Sequence, residues 1–144
     1  MAKEIRPLRK DSILSSRSRR AIPSMEAEVT TALYHRDIGI PASLPQPAPG
    51  TRLGYTNHAV DAAAQDGLPR GYLPATLPAV FDLIEVEALG DQPVKWVVRF
   101  PLPDLSGWDI VLAVSWDGVV RTVWFNRSDD MHRTLDRSRY ERGQ

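Results

Sequence analysis

Hydrophobic and polar residues alternate most regularly in the second half of the chain, where they predict β-strands. The alternation runs through VFDLIEVEAL at residues 80–89, VKWVVRF at 94–100, WDIVLAVSW at 108–116 and VVRTVWF at 119–125. Successive side chains of a strand point to opposite faces of a sheet, so this pattern is typical of strands with one buried face. Asp117-Gly118 between two alternating segments predicts a tight hairpin. The pattern therefore predicts an antiparallel meander of four strands.

The hairpin turn determines which residues share a face of that meander. With Asp117 and Gly118 as a two-residue turn, Trp116 faces Val119 and Asp109 faces Asn126. One predicted face is almost wholly apolar and should bury against helix: Ile110, Leu112, Val114, Trp116, Val119, Arg121, Val123 and Phe125. The opposite face mixes small, polar and aromatic residues: Val111, Ala113, Ser115, Val120, Thr122 and Trp124. A mixed face of this kind indicates a surface that another molecule contacts.

Helical patterns precede the strands. Ser24 can cap a helix to Arg36, with Met25, Val29 and Leu33 at four-residue spacing. Residues 38–50 contain four prolines and two glycines and predict an irregular linker. A second helix is predicted from Thr56 or Asn57, with Asn57 as its cap, to a stop at Gly67.

We therefore predict an α+β fold, with N-terminal helices followed by a four- or five-stranded antiparallel sheet. The domain organisation we expect is a basic, poorly ordered arm (residues 1–23), a helix with a proline-rich linker (24–50), and an α+β domain with the candidate active face (51–144).

Charge and composition limit the classes of function. The chain has no net charge, but residues 1–36 and 127–144 are basic whereas residues 37–126 are acidic, which favours an anionic partner near the ends. The absence of cysteine excludes disulfides, thiol catalysis and thiolate metal sites. The longest apolar run, Ile110 to Val114, is too short to span a membrane. No hydrophobic stretch follows the basic N-terminal residues, as a secretory signal would require, so we expect a cytoplasmic protein without a membrane partner.

The segment DDMHRTLDRSRY at residues 129–140 concentrates reactive side chains just after the last strand. Metal-free RNA cleavage needs a base for the 2′-hydroxyl, an acid for the leaving 5′-oxygen and cations for the charged phosphorane. Histidine suits the proton transfers and arginine suits the phosphate. The catalytic candidates are His58, His132, Thr122, Thr134 and Tyr140, and the substrate-binding candidates are Arg99, Asn126, Arg133, Arg137 and Trp124.

Each candidate also has a purely structural interpretation. His58 at a helix start is compatible with a surface position, and Trp124 with ordinary sheet packing. His35 is expected to end the first helix, where a cation suits the helix dipole. A divalent metal at Asp129, Asp130 and His132 is the competing chemistry, but their spacing matches no known ligand motif. We expect neither a metal site nor a cofactor.

Two stretches resemble a known superfamily. The first runs from His58 to Asp66 and includes His58-Ala59, Ala62-Ala63 and Asp66. The second runs from Asp117 to Tyr140. It includes Asp117-Gly118, Thr122-Val123-Trp124, Asn126, Asp130, His132, Thr134-Leu135-Asp136 and Ser138-Arg139-Tyr140. Together they look like small toxin-like and phage-encoded proteins of the barnase–EndoU–colicin–RelE superfamily of metal-independent ribonucleases. The resemblance covers roughly residues 55–140. It implies helices followed by an antiparallel sheet, and it implies a site at His58, Thr122, Asn126, His132, Thr134 and Tyr140.

The expected function is a toxin-like endoribonuclease that cleaves RNA without metal, with RNA as its partner and an antitoxin or host protein as a further partner. A non-catalytic phage or host-interaction protein on the same scaffold is the alternative. A nucleic-acid-binding module driven by the basic arm is a third hypothesis.

Overall fold

The computed structural model describes residues 30–130 and 136–142. The chain divides into two units at Thr30, and every described strand and helix belongs to the unit that begins at Thr31. A six-stranded sheet dominates it, in the order β1-β3-β4-β5-β6-β2. The strands are β1 (Ala32–His35), β2 (Gly54–Tyr55), β3 (Asp82–Leu89), β4 (Gln92–Pro101), β5 (Trp108–Ser115) and β6 (Val119–Arg127). The helical elements are α1 (Asn57–Gln65) and two single 3-10 turns, Arg70–Tyr72 and Arg137–Arg139.

The predicted fold class is wrong. The sheet is mixed, because β2 runs parallel to β6 while all other neighbouring pairs are antiparallel. The described residues contain one α-helix, α1, in place of N-terminal helices ahead of an antiparallel meander. The consecutive strands β3 to β6 do follow one another as antiparallel neighbours, so the error lies in the two additional strands and the first helix.

The end of the predicted first helix is an edge strand. Ala32 pairs with Ala88 and His35 pairs with Glu85, which aligns β1 antiparallel to β3. The four-residue apolar spacing indicated a helix, but the otherwise unpaired edge of β3 offers this segment backbone partners along one side. Tertiary pairing therefore overrides the local pattern. The earlier part of that predicted helix, residues 24–29, and the basic arm lie outside the described residues.

The short strand β2 depends on close backbone packing. Gly54 and Tyr55 pair with Val119 and Val120 at the start of β6. Gly118 has a positive φ of 86°, and a Cβ atom placed on it would lie 2.7 Å from the backbone oxygen of Arg52. Only glycine fits both the conformation and the space, so the Asp-Gly pair that predicted a hairpin also admits a neighbouring strand.

Helix α1 lies nearly where the sequence predicted it. Its cap is Thr56, one residue before the predicted Asn57, and the Thr56 side chain accepts a hydrogen bond from the Ala59 nitrogen at 3.1 Å. The chain leaves the helix at Gly67, whose φ of 98° suits a C-terminal stop. Ala59 and Ala63 are buried against the sheet, in a core cluster with residues of β4, β5 and β6.

The sheet has two different faces. The helix face packs against α1 and the loops that follow it, through Val98, Phe100, Ile110, Leu112, Val114, Val120 and Val123. The cavity face carries Ile84, Val97, Arg99, Val111, Ala113, Thr122 and Trp124. The proline-rich segment also folds onto the sheet, where Leu44 packs on Val86 and Ala88. The indole nitrogen of Trp96 donates a hydrogen bond to the Pro45 oxygen at 3.1 Å.

A β-bulge modifies the predicted hairpin register. Pairs from Trp108–Arg127 to Ala113–Thr122 match the prediction, but Val114 pairs with Val120 and leaves Arg121 unpaired. An extra residue in one strand reverses the alternation beyond it. Val120 therefore lies in the core of the helix face, and Arg121 is exposed, with its Nε donating to Ser115 Oγ at 3.0 Å. The prediction had placed Val120 on the mixed face and Arg121 on the apolar face, the reverse of what the structure shows.

Candidate functional site

A cavity of about 440 Å³ opens on the cavity face of the sheet. Its floor consists of the central strands β4, β5 and β6, and its walls come from β1, β3 and the C-terminal segment around Tyr140. The lining residues are His35, Arg36, Asp37, Ile84, Glu85, Lys95, Val97, Arg99, Val111, Ala113, Thr122, Trp124, Arg139 and Tyr140. A concave site of this size suits a small ligand or one unit of a polymer.

Strand alternation explains the composition of the floor. Arg99 pairs with Val111, and Val111 pairs with Trp124 on the next strand, so these three side chains form a row across the sheet. Ala113 pairs with Thr122 one step along the strands. The small side chain of Ala113 leaves room above the sheet, whereas Arg99 and Trp124 supply a charge and an aromatic surface.

The guanidinium of Arg99 is buried and held from two sides. Its Nε donates to Asp109 Oδ2 at 2.8 Å, and its Nη2 donates to the Arg127 oxygen at 3.1 Å. The other carboxylate oxygen of Asp109 accepts a hydrogen bond from Ser128 Oγ at 2.8 Å. Both members of the Arg99–Asp109 pair are largely shielded, with side-chain exposures of 9% and 14%.

The imidazole of His35 is buried at the end of β1 and is neutral near neutral pH. Burial lowers its pKa, although the nearby carboxylates of Asp37 and Glu85 act in the opposite direction. Its Nδ1 accepts a hydrogen bond from the Asp37 backbone nitrogen at 3.1 Å. The neutral ring therefore carries its proton on Nε2, which makes His35 a hydrogen-bond donor rather than a proton acceptor.

Tyr140 closes the cavity beside His35. The centroids of the two rings are 5.0 Å apart in an edge-to-face arrangement, and the Tyr140 hydroxyl donates to Glu85 Oε1 at 2.8 Å. Partial burial and this carboxylate raise the pKa of Tyr140 to about 12, so the phenol keeps its proton. The next residue, Glu141, donates its backbone N–H to the Leu33 oxygen at 2.7 Å, which anchors the segment on β1.

Four cationic side chains and two carboxylates line the cavity, and most of the cations are paired. Arg99 is paired with Asp109. Arg36 and Lys95 have carboxylate partners at 3.5 Å, in Asp37 and Glu87 respectively. The guanidinium carbon of Arg139 lies 5.3 Å from the centroid of the Tyr140 ring, and no described carboxylate pairs with it. This arrangement favours an anionic ligand.

The cavity brings together four of the residues predicted from sequence: Arg99, Thr122, Trp124 and Tyr140. Asn126 lies opposite Asp109 on the neighbouring strand, outside the cavity lining, and its enclosed Nδ2 has no hydrogen-bond partner among the described atoms. Arg137 belongs to the 3-10 turn before Tyr140 and contributes to the electrostatic field at His35.

His58 lies elsewhere. It is exposed on α1, which packs on the helix face, so the sheet separates it from Thr122 and Tyr140. His132, Arg133 and Thr134 lie outside the described residues, and their roles stay predictions.

Sequence reasoning did not identify His35, Glu85 and Lys95 as site residues. His35 was expected to end a helix, which concealed its position as the last residue of an edge strand. Lys95 shares one face of β4 with Arg99 by simple alternation, and that signal could have identified Lys95 as well.

Comparison with protein-family models, with curated proteins and with solved structures finds no match to this chain. The site must therefore be interpreted from its own geometry. Within residues 30–130 and 136–142, no group of three or more carboxylate or imidazole side chains is arranged to hold a metal ion. The same residues contain no helix long and apolar enough to cross a bilayer.

Proposed function

We propose that this chain is a toxin-like endoribonuclease that cleaves RNA by attack of the 2′-hydroxyl, without a metal ion. The observation that carries the proposal is the convergence of a neutral imidazole, a protonated phenol and several cations on one cavity. These groups match what phosphodiester cleavage requires: compensation of phosphate charge and donors for the oxygens that become negative.

The proposed reaction is a transesterification. A base removes the proton of the 2′-hydroxyl, the 2′-oxygen bonds to phosphorus, and the bond from phosphorus to the 5′-oxygen breaks. The products are a 2′,3′-cyclic phosphate and a 5′-hydroxyl, which receives a proton from the acid. Cations around the cavity stabilise the additional negative charge of the phosphorane.

The chain offers candidates for each role. Arg99 and Arg139 would hold the phosphate, and His35 would donate to one of its oxygens through Nε2. Tyr140 keeps its proton and would transfer it to the leaving oxygen after giving up its hydrogen bond to Glu85. His132, five residues beyond the end of β6 in sequence, remains the proposed base. His58 has no role in this proposal, because the helix that carries it packs on the other face.

Cleavage of total RNA by the purified full chain tests the proposal. We expect chelator-resistant activity with a bell-shaped dependence on pH, and products ending in a 2′,3′-cyclic phosphate. Loss of a general acid or base reduces such activity roughly 10²- to 10⁴-fold. We expect losses of this size in His132→Ala and Tyr140→Phe.

His58→Ala is the matched control, since it also removes one imidazole but from the opposite side of the sheet. It should keep full activity. Absence of any cleavage by the folded wild-type chain, or full activity of His132→Ala, would contradict the proposed reaction.

A non-catalytic interaction protein is the second candidate, and one observation favours it. Trp116 at the tip of the β5–β6 hairpin is 69% exposed. Tryptophan is enriched among the residues that dominate protein interfaces. If purified protein leaves RNA intact while Trp116→Ala abolishes binding to a host protein or an antitoxin, this second function replaces the first.

A further inference from the structure

The largely shielded Arg99–Asp109 pair lies among apolar neighbours. Its neighbours on the cavity face are Val97, Val111 and Ala113, all buried. Removing two opposite charges from water costs several kcal/mol per ion, and a well-packed apolar pair of similar volume is often as stable or more stable. Stability alone therefore does not account for a charged pair at this position.

The hydrogen bonds of Arg99 leave some N–H groups of its guanidinium available. A guanidinium has five N–H groups, and the described partners of Arg99 engage Nε and one hydrogen of Nη2. The one fully enclosed side-chain nitrogen without a partner in the described chain is Asn126 Nδ2. Since Arg99 lines the cavity, its remaining N–H groups meet the space above the floor.

Asp109 restricts the orientation of this guanidinium. It binds Nε, while Ser128 holds the second carboxylate oxygen and the Arg127 oxygen holds Nη2. The guanidinium is thus fixed before any ligand arrives, and ordering it on binding costs little additional entropy. A planar fork with free N–H groups matches the oxygens of a phosphate.

We propose that Asp109, supported by Ser128, is a positioning residue that holds Arg99 as a preformed subsite for one phosphate group. The proposal rests on the nuclease function given above and names the position of the scissile phosphate: over β5, between Arg99 on β4 and Trp124 on β6. Asp109 acts through Arg99 and does not contact the ligand.

Phosphate binding to the full-length protein, measured by calorimetry with inorganic phosphate and with a nucleoside 3′-monophosphate, tests this proposal. We expect Asp109→Asn to weaken binding of both probes roughly tenfold, about what the loss of one charge-assisted hydrogen bond produces. Ser128→Ala should weaken it less, about two- to threefold, because Ser128 supports Asp109 indirectly. Asp61→Asn is the matched control: it removes an exposed carboxylate of α1, on the opposite face of the sheet, and should leave binding unchanged.

A double variant separates a positioning role from a structural one. Arg99→Met with Asp109→Leu replaces the pair by apolar side chains, and we expect an unchanged or higher midpoint of chemical unfolding together with loss of phosphate binding. Unchanged affinity in Asp109→Asn would overturn the proposal. The proposal would also be overturned if the double variant unfolded as readily as Asp109→Leu alone, because the ion pair would then serve mainly to stabilise the fold. Should Asp109→Asn fail to fold, Ser128→Ala decides, and wild-type affinity in that variant overturns the proposal.

The outcomes also distinguish this inference from the nuclease proposal. Phosphate binding that depends on Asp109 in a protein that never cleaves RNA would remove the nuclease and retain the subsite. RNA cleavage by a protein whose phosphate affinity does not depend on Asp109 would retain the nuclease proposal and remove the subsite.

Discussion

The two faces of one sheet differ in what they bury. The helix face buries apolar side chains only, including Ile110 and Leu112, both fully inaccessible to solvent. The cavity face buries His35 and Arg99, the two polar residues among the buried side chains of the described chain. Burying polar groups is costly unless each finds a partner.

This difference indicates that the helix face mainly stabilises the fold and the cavity face mainly serves function. Hydrophobic burial on the helix face contributes roughly 25 cal/mol per Å² and needs no specific geometry. The cavity face relies on hydrogen bonds with defined directions, such as those of Arg99 and Tyr140. Stability should therefore respond mainly to changes on the first face, and function to changes on the second.

The largest effect should come from the helix face. Leu112→Ala removes a buried side chain and should destabilise the protein by about 2–5 kcal/mol. Thr122→Ala, on the exposed part of the cavity face, should change stability by less than about 0.5 kcal/mol. Urea unfolding of both variants measures the contrast. Equal destabilisation by the two variants would show that both faces contribute to stability in the same way.

A change to the cavity floor should affect binding more than stability. Trp124→Leu keeps an apolar side chain but removes a surface for base stacking, which is worth roughly 1–3 kcal/mol per base. We expect affinity for a single-stranded oligonucleotide to fall by about 5- to 150-fold. Fluorescence anisotropy with a labelled oligonucleotide measures it, with Trp116→Leu at the hairpin tip as the control. An unchanged affinity in Trp124→Leu would limit this residue to packing.

Removal of the Tyr140 hydroxyl should have a smaller effect on stability. Tyr140→Phe deletes one hydrogen bond to Glu85 and should cost about 0.5–1.5 kcal/mol. Because folding raises this pKa from the ordinary 10.0 to about 12, the hydroxyl stabilises the fold fully below pH 10 and ceases to do so as the pH approaches 12. The two proteins should converge in stability over that range. Absorbance titration of the tyrosinate, compared between wild type and Tyr140→Phe, locates the ionisation.

The smallest effect concerns His35 at acid pH. Folding lowers its pKa below 6.5, so the unfolded chain binds the proton more tightly. The neutral imidazole therefore contributes stability that is fully present above pH 6.5 and is lost as the pH falls through the folded-state pKa. His35→Asn keeps an acceptor for the Asp37 nitrogen and should flatten this part of the pH–stability curve. A profile with the same slope in the variant would assign the acid sensitivity to other groups.

Local patterns predicted much of the central sheet but not its edges. The register from Trp108–Arg127 to Ala113–Thr122 matches the prediction from alternation, although the pairing next to Asp117-Gly118 is shifted by one residue and a bulge restores it. The bulge at Arg121 follows from neither alternation nor the turn, because it depends on whether the arginine or Val120 enters the core. The bulge between Leu83 and Glu85 likewise brings Ile84 to the cavity face, whereas strict alternation would place it on the same face as Val86.

The site was predictable where strand alternation carries the signal. Arg99, Thr122 and Trp124 occupy one face because of strand periodicity, and the cavity contains all three. His35 and Glu85 face each other only because β1 pairs with β3, a contact between residues 50 positions apart in the chain. The resemblance to the barnase–EndoU–colicin–RelE superfamily grouped His58 with Thr122, but the sheet lies between them.

The sequence by itself determined the elements with strong local signals: helix α1 with its cap and its glycine stop, the four central strands, and the polar–aromatic character of one face. Hydrophobic period, capping residues and turn residues act over a few positions, so they can be recognised without knowledge of the rest of the chain. Tertiary structure alone decided that residues 32–35 join the sheet, that β2 runs parallel to β6, and that Tyr140 returns to His35. Backbone pairing at a sheet edge and burial against distant residues depend on partners far along the chain, and no local pattern records them.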